Sequence, residues 1–323
     1  MTGQRKEIAP GGHGLTMESA TNTGNLVAAP PLATRRRLAA LLRDYLALTK
    51  PRIVGLLLVT TVATMFVADP SGPSLATILW TMLGGYLAAG GAGAINHYLE
   101  RDRDALMDRT CSRPLVERRI EPLRGLIFGI VLGSLSTLVF ALAVNLLAAA
   151  LALAGLLGYV FIYTLWLKPL TPQNIVIGGA AGAVPPLVGW AAATGGLALD
   201  ALCPFAIVFL WTPPHFWALA LLVKDDYARA GIPMLPVARG EATTCRQILA
   251  YSAVLVAFTV LPFLTGLFGA VYLAAAGVLG AGFVGLAAHL DLRRSRAAAV
   301  RLHLASLAYL ALLFVAMAVD RLV

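Results

Sequence analysis

Apolar stretches of roughly 20 residues, each long enough to cross about 30 Å of hydrocarbon, recur along the chain and are separated by short polar breaks. They are read at 52–68, 75–97, 123–143, 146–167, 174–194, 200–223, 247–267, 269–290 and 300–319. The pattern predicts an all-α fold, a polytopic membrane bundle of nine transmembrane helices over residues 46–323. Residues 1–45 are polar, rich in Gly, Ala and Pro, and basic at Arg35-Arg36-Arg37. They are expected to form a disordered cytoplasmic tail rather than a signal peptide or a transit segment. Small residues such as Gly90-Gly91-Ala92-Gly93 and Gly178-Gly179 fit close helix approach. Pro185-Pro186 and Pro213-Pro214 are expected to interrupt the fifth and sixth spans, either as cavity walls or as packing kinks.

Composition supports the lipid reading. Of 323 residues 59% are hydrophobic and only 13% charged, and the mean hydropathy is +0.80, values foreign to a solvated globular surface. The net charge of +9 could suggest nucleic acid in a soluble chain, but here the basic residues sit in the breaks between spans, so no nucleic-acid partner is expected. Of 25 Lys and Arg residues, all but Arg321 fall on one side of this nine-span topology. That asymmetry predicts a cytoplasmic N-terminus, a C-terminus outside, and the cell inner (plasma) membrane as the location. Cys111, Cys203 and Cys245 are isolated and form no disulfide or zinc framework.

The longest polar breaks follow spans two and six, both on the cytoplasmic side, so the active site is expected to face the cytoplasm. Asn96, Glu100, Asp104 and Asp108 are spaced by four. On a continuing helix each lies about 40° around from the last, and Asp102 points roughly 200° away from Glu100. Carboxylates at i,i+4 repel, and at a helix C-terminus they oppose the macrodipole, so a cation must offset them. One reading supplies Arg101, Arg103 and Arg109 in surface ion pairs. The other supplies a pair of Mg²⁺ ions, which take carboxylate and phosphate oxygens and keep some water. A second acidic group, Lys224-Asp225-Asp226-Tyr227-Ala228-Arg229, follows span six, with Asp225 and Arg229 at ion-pair spacing. Together with Lys168 on the same face, the two clusters could surround one diphosphate and neutralise it as a C–O bond breaks.

In these residues the chain resembles the intramembrane aromatic prenyltransferase superfamily over roughly residues 45–320. The likeness rests on the Asn96, Glu100, Asp104 ladder and the acidic loop after span six. Within it the chain is most similar to the protohaem IX farnesyltransferases. That finer likeness rests on Lys50-Pro51-Arg52, on the stretch Asp104 to Pro114, on Tyr163-Thr164-Leu165-Trp166-Leu167-Lys168 and on Asn174 to Trp190. It extends through Trp211-Thr212-Pro213-Pro214-His215-Phe216-Trp217 and Gly231 to Pro236. Glu100 departs from the usual Asp, and Leu222 stands four residues before Asp226 where the superfamily often has another carboxylate.

The resemblance implies transfer of farnesyl from farnesyl diphosphate to a vinyl group of protohaem IX (haem B), with water addition, giving haem O and diphosphate. It implies Mg²⁺ as cofactor, held by Glu100, Asp104, Asp108 and Asp226. Asn96, Glu100, Asp104, Tyr163 and Lys168 are the expected catalytic residues. Arg109, Arg113, Lys224, Asp225, Asp226 and His215 are the expected contacts to substrate or diphosphate. Tyr163 and Lys168 could equally reflect interfacial preferences, and His215 could be an ordinary hydrogen-bonded helix residue. The expected partners are the two substrates, the lipid bilayer and a haem A synthase or oxidase-assembly protein. Two alternatives remain at this point: prenylation of a quinone precursor such as 4-hydroxybenzoate, or a carrier of anionic metabolites, for which polar groups near the midplane of several helices would be expected.

Overall fold

The computed structural model describes residues 32–323, of which Ala39–Val323 form one compact unit. Among the described residues every regular element is helical, and nine segments are long and apolar enough to cross a membrane. They run Pro51–Ala68, Leu75–Asp104, Pro122–Ala143, Leu146–Leu170, Asn174–Thr194, Leu199–Leu222, Glu241–Leu264, Ala270–Arg293 and Arg296–Leu322, numbered spans one to nine. The chain is therefore a multi-pass membrane protein with an all-α fold. Most of the expected tail, 1–45, lies outside the described residues. Its last part belongs to a helix, Leu32–Leu48, which corrects the unstructured reading there.

Local chemistry sets the ends of the spans. Pro51 opens span one at a position where its missing N–H costs nothing. Ser74 caps span two by accepting from the Thr77 N–H at 3.1 Å. Asn145 caps span four, accepting from the Ala148 N–H at 2.8 Å, and its own amide donates to the Ala191 carbonyl of span five at 2.8 Å. At the opposite end from the ladder, the Asp320 carboxylate accepts from the Gly269 and Tyr272 N–H groups at 2.5 and 2.9 Å, closing the start of span eight with a residue of span nine. Pro185-Pro186 and Pro213-Pro214 do not break their helices, which run unbroken through both pairs. This corrects the expected interruption; each proline instead removes one backbone donor inside a continuous helix.

Span two is the element that positions the site. Its 30 residues reach about 45 Å at 1.5 Å per residue, well beyond a hydrocarbon layer of about 30 Å. Its C-terminal turns therefore project past the apolar band, and the ladder sits on them. Glycines let span three come close: the Ser136 hydroxyl donates to the Gly84 carbonyl at 2.7 Å, and a Cβ on Gly91 would lie 2.7 Å from the Gly129 carbonyl. Span four is α-helical to Leu157 and π-helical over Gly158–Leu167, and that widened stretch carries Tyr163 and Thr164 towards span two.

The largest buried side chains, including Trp217, Tyr272, Phe314 and Ile207, cluster where spans five to nine meet. Outside, Val278 is 75% exposed, and Phe161, Trp166 and Leu138 likewise face outward. A continuous apolar exterior of this kind is matched by lipid.

Candidate active site

Three side chains of span two, Asn96, Glu100 and Asp104, lie buried in register one turn apart. Each meets a cation from a different part of the chain. Lys50, the residue before span one, donates from Nζ to Asn96 Oδ1 at 2.6 Å. Lys168, at the end of span four, pairs with the Glu100 carboxylate. Arg113, in the connection after span two, pairs with Asp104 at 2.5 Å. Asn96 also donates to the Thr164 hydroxyl at 3.2 Å, tying span two to the π-helical stretch of span four. The Lys168 ammonium stands 5.9 Å from the centre of the Tyr163 ring, within reach of its π face.

The ladder does not continue to Asp108. The helix stops at Asp104, and residues 105–120 follow as a series of turns, because the Thr110 hydroxyl takes the Asp104 carbonyl at 2.9 Å and Thr110 N–H takes the Met107 carbonyl at 3.0 Å. Asp108, exposed, pairs instead with Arg229 at 2.6 Å. The expected pair of Asp225 with Arg229 is corrected as well: Arg229 pairs with Asp226, three residues before it. Asp226 is buried, and its two oxygens accept from the N–H groups of Asp108 and Arg109, each at 3.3 Å. The second acidic cluster thus fastens the loop after span two to the loop after span six. Asp102 is exposed beside Arg101 at 3.5 Å, turned away from the ladder as the helical wheel requires.

Surface ion pairs do not describe the ladder, since Glu100 and Asp104 are 4% and 1% exposed. Burying two carboxylates demands partners of opposite charge. The partners supplied leave capacity unused: Asp104 Oδ1 is enclosed with no hydrogen-bond donor among the described residues. Desolvation, aided by the positive charge of Arg113, pushes the Lys50 ammonium down to about 7, with Glu100 and Asp104 opposing. Burial also lifts the Tyr227 phenol above its usual range. Beside the ladder a cavity of about 350 Å³ lies between spans two and four, lined by Leu99, Glu100, Asp102, Arg103, Thr164 and Leu165.

Among the described residues no three His, Cys, Asp or Glu side chains converge on a single ion site. The donor set still suits a hard divalent cation: carboxylate oxygens, an amide oxygen and one enclosed, unpartnered oxygen, with room for phosphate oxygens and water to complete the shell.

The residues expected from sequence fall into separate places. Asn96, Glu100, Asp104, Tyr163, Lys168 and Arg113 come together. Asp226 and the backbone of Arg109 form the loop junction, with the Arg109 side chain exposed. Lys224 and Asp225 line a different cavity of about 300 Å³ with Glu241 and Arg294, and Lys224 pairs with Glu241 there. His215 lies deeper, against span nine. Lys50 and Thr164 carry no expectation from the ladder's spacing. Their one sequence signal is that Lys50 belongs to Lys50-Pro51-Arg52 and Thr164 to the stretch from Tyr163 to Lys168.

Buried carboxylates, an amide and three cations thus gather at one end of a helical bundle with nine candidate membrane spans among the described residues. The chain belongs to the UbiA prenyltransferase family, whose family model matches residues 57–317. Among curated relatives, a Protoheme IX farnesyltransferase from Symbiobacterium thermophilum is 54% identical over 86% of this chain and 94% of its own length. Another of that name from Roseiflexus sp. (strain RS-1) is 53% identical over 88% of this chain but only 53% of its own length. The chain thus spans about half the length of several curated relatives it matches. Among solved structures, that of a digeranylgeranylglyceryl phosphate synthase superposes with a TM-score of 0.71 at 17% identity, covering 87% of this chain and 98% of that one. A UbiA homologue from Archaeoglobus fulgidus bound to DMAPP and Mg²⁺ gives 0.61 at 18% identity, covering 85% and 99%. Both share the fold.

Proposed function

We propose that this chain farnesylates haem B: farnesyl diphosphate, haem B and water give haem O and diphosphate. The observation that carries the reading is the buried ladder of Asn96, Glu100 and Asp104 faced by Lys50, Lys168 and Arg113, in a chain about half identical to proteins named Protoheme IX farnesyltransferase. The site has no Ser-His-Asp constellation, and the chemistry needs none, because the leaving group is already a good one once its charge is met.

Mg²⁺, held by Glu100 and Asp104 with Asn96 beside them, would neutralise diphosphate oxygens and so favour ionisation of the allylic C–O bond. Asp108 and Asp226 are the more remote carboxylates proposed for a second ion; both now pair with Arg229 and would have to exchange that partner. Arg113 and Lys168 bind and orient the diphosphate, a task suited to a forked guanidinium and a compact ammonium. Tyr163 turns its ring face to the positive charge that develops on the farnesyl chain. Arg109, Lys224 and Asp225 would act at the entrance, and His215 on the acceptor. The vinyl π electrons form the new C–C bond, and water takes the resulting carbocation and loses a proton, leaving a hydroxyl.

The distribution of basic residues supports an orientation in the cell inner membrane with the site and N-terminus cytoplasmic and the C-terminus outside. Release of haem O there suggests hand-over to a haem A synthase. The family match favours a transferase over a metabolite carrier. The test is turnover in H₂¹⁸O with Mg²⁺ present or chelated. The product should be haem O carrying one labelled oxygen, with none formed under chelation; unlabelled product or metal-independent turnover contradicts the mechanism.

A further inference from the structure

Spans six and nine meet along an aromatic and polar seam that the diphosphate end of the site does not use. The Trp211 indole stacks on the His215 imidazole with ring centres 4.2 Å apart, and the His303 ring stacks on His215 at 4.6 Å. Trp211 Nε1 donates to the Ser306 carbonyl at 2.8 Å, which locks the first ring of the stack to span nine. His215 lies seven residues before the end of span six at Leu222, and His303 seven residues after the start of span nine at Arg296. Both are thus about 10 Å below the ladder end of the bundle.

The hydrogen-bond geometry favours one tautomer for each ring. Ser306 Oγ donates to the His303 carbonyl at 2.6 Å and also lies 2.6 Å from His215 Nδ1. A hydroxyl has one proton to give. With that proton on the carbonyl, the contact to His215 runs the other way, and Nδ1–H is the donor. His303 Nδ1 lies 3.3 Å from the His215 carbonyl oxygen, which can only accept, so His303 also carries its proton on Nδ1. In that tautomer each ring keeps a lone pair on Nε2. Among the described residues neither Nε2 has a hydrogen-bond partner, and neither is among the enclosed polar atoms. Tying Nδ1–H to an oxygen while leaving Nε2 open is how proteins prepare a histidine to bind a metal. Packing alone would be served by Phe, without placing imidazoles in an apolar span.

We infer that His215 Nε2 is the axial ligand to the iron of the metalloporphyrin acceptor, with Ser306 and His303 as positioning residues that hold its ring. This rests on the haem reading above. His215 is chosen because its ring is covered on both faces, by Trp211 and by His303, and its Nδ1 bond is the shorter of the two. Two rings stacked face to face cannot reach one iron from opposite sides of a porphyrin, so the seam supplies one ligand and leaves the other axial position open. Anchoring the iron at this seam restricts the acceptor to rotation about one axis, and that is what selecting one vinyl group requires.

The experiment uses the full chain in detergent, loaded with haem B and given no farnesyl diphosphate, and reads the iron–histidine stretching band of the ferrous form by resonance Raman together with haem affinity. Wild type should show the band. His215→Gly should lose it, bind haem more weakly, and recover the band when free imidazole is added, which also shows that the variant is folded. Ser306→Ala should keep the band at lower frequency, because the Nδ1–H bond that strengthens the ligand is gone. A band that persists in His215→Gly, or one lost only in His303→Gly, overturns the assignment. The same preparations are then given farnesyl diphosphate. If wild type forms haem O without a histidine band, the ligation fails and the haem reading stands. If it neither binds nor farnesylates haem B, the haem reading itself fails, and the ligation with it.

Discussion

Replacing Glu100 by Gln keeps the size of the side chain and removes its charge, and the consequences can be worked from its surroundings. The Glu100 and Lys168 side chains are 5% and 10% exposed, so the substitution leaves a buried ammonium with no counter-charge. Breaking a buried pair by removing one partner costs about 3–5 kcal/mol of stability. Removing one charge that stabilises a developing transition state costs about 10²–10³ in rate. Pairing Glu100→Gln with Lys168→Met separates the two effects. The double variant no longer buries an unpaired charge and should recover most of the lost stability, yet its turnover should stay low, because neither the metal-side anion nor the phosphate-side cation is restored. Glu100→Asp keeps the charge and should retain substantial activity. The assays are thermal unfolding in detergent and Mg²⁺-dependent turnover, at matched levels of inserted protein. Turnover near wild type in the double variant would refute the reasoning, since the pair would then be a structural device alone.

Asp102→Asn should leave turnover within a small factor of wild type, because Asp102 is exposed and turned from the ladder; a loss comparable to that of Asp104→Asn would put it in the site. With Lys50 held at about 7, a cationic donor is present below that pH and lost above it. Lys50 faces Asn96 at the diphosphate end of the site, so apparent affinity for farnesyl diphosphate should weaken as pH rises through about 7 in wild type and stay flat in Lys50→Arg, as read from KM across pH. Gly189→Ala would drive a methyl group into the Thr61 carbonyl of span one and should destabilise by about 1–3 kcal/mol in thermal unfolding. A Ser71→Cys variant should label from outside intact cells, whereas the exposed Cys111 should react only after permeabilisation; the reverse pattern would invert the topology.

The spans were legible because crossing hydrocarbon leaves a signature of length and apolarity that needs no tertiary knowledge. The ladder from Asn96 to Asp104 was legible because helical periodicity alone puts those residues on one face. Asp108 was misplaced for the same reason: periodicity continues in sequence, but the Thr110 hydroxyl and the turns after Asp104 end the helix. The prolines misled in the opposite direction, as the surrounding bundle holds spans five and six helical through them. What sequence spacing did not carry was pairing between distant segments. Lys50 reaches Asn96 across 46 positions, and His215 meets Ser306 across 91. Such contacts are set by how the spans pack.

The proposed activity turns on the identity of the acceptor. Purified protein supplied with Mg²⁺ and farnesyl diphosphate, and offered haem B and 4-hydroxybenzoate in parallel, should convert haem B to haem O, identified by chromatography and mass, and leave 4-hydroxybenzoate unchanged. Robust prenylation of 4-hydroxybenzoate with no product from haem B would contradict it.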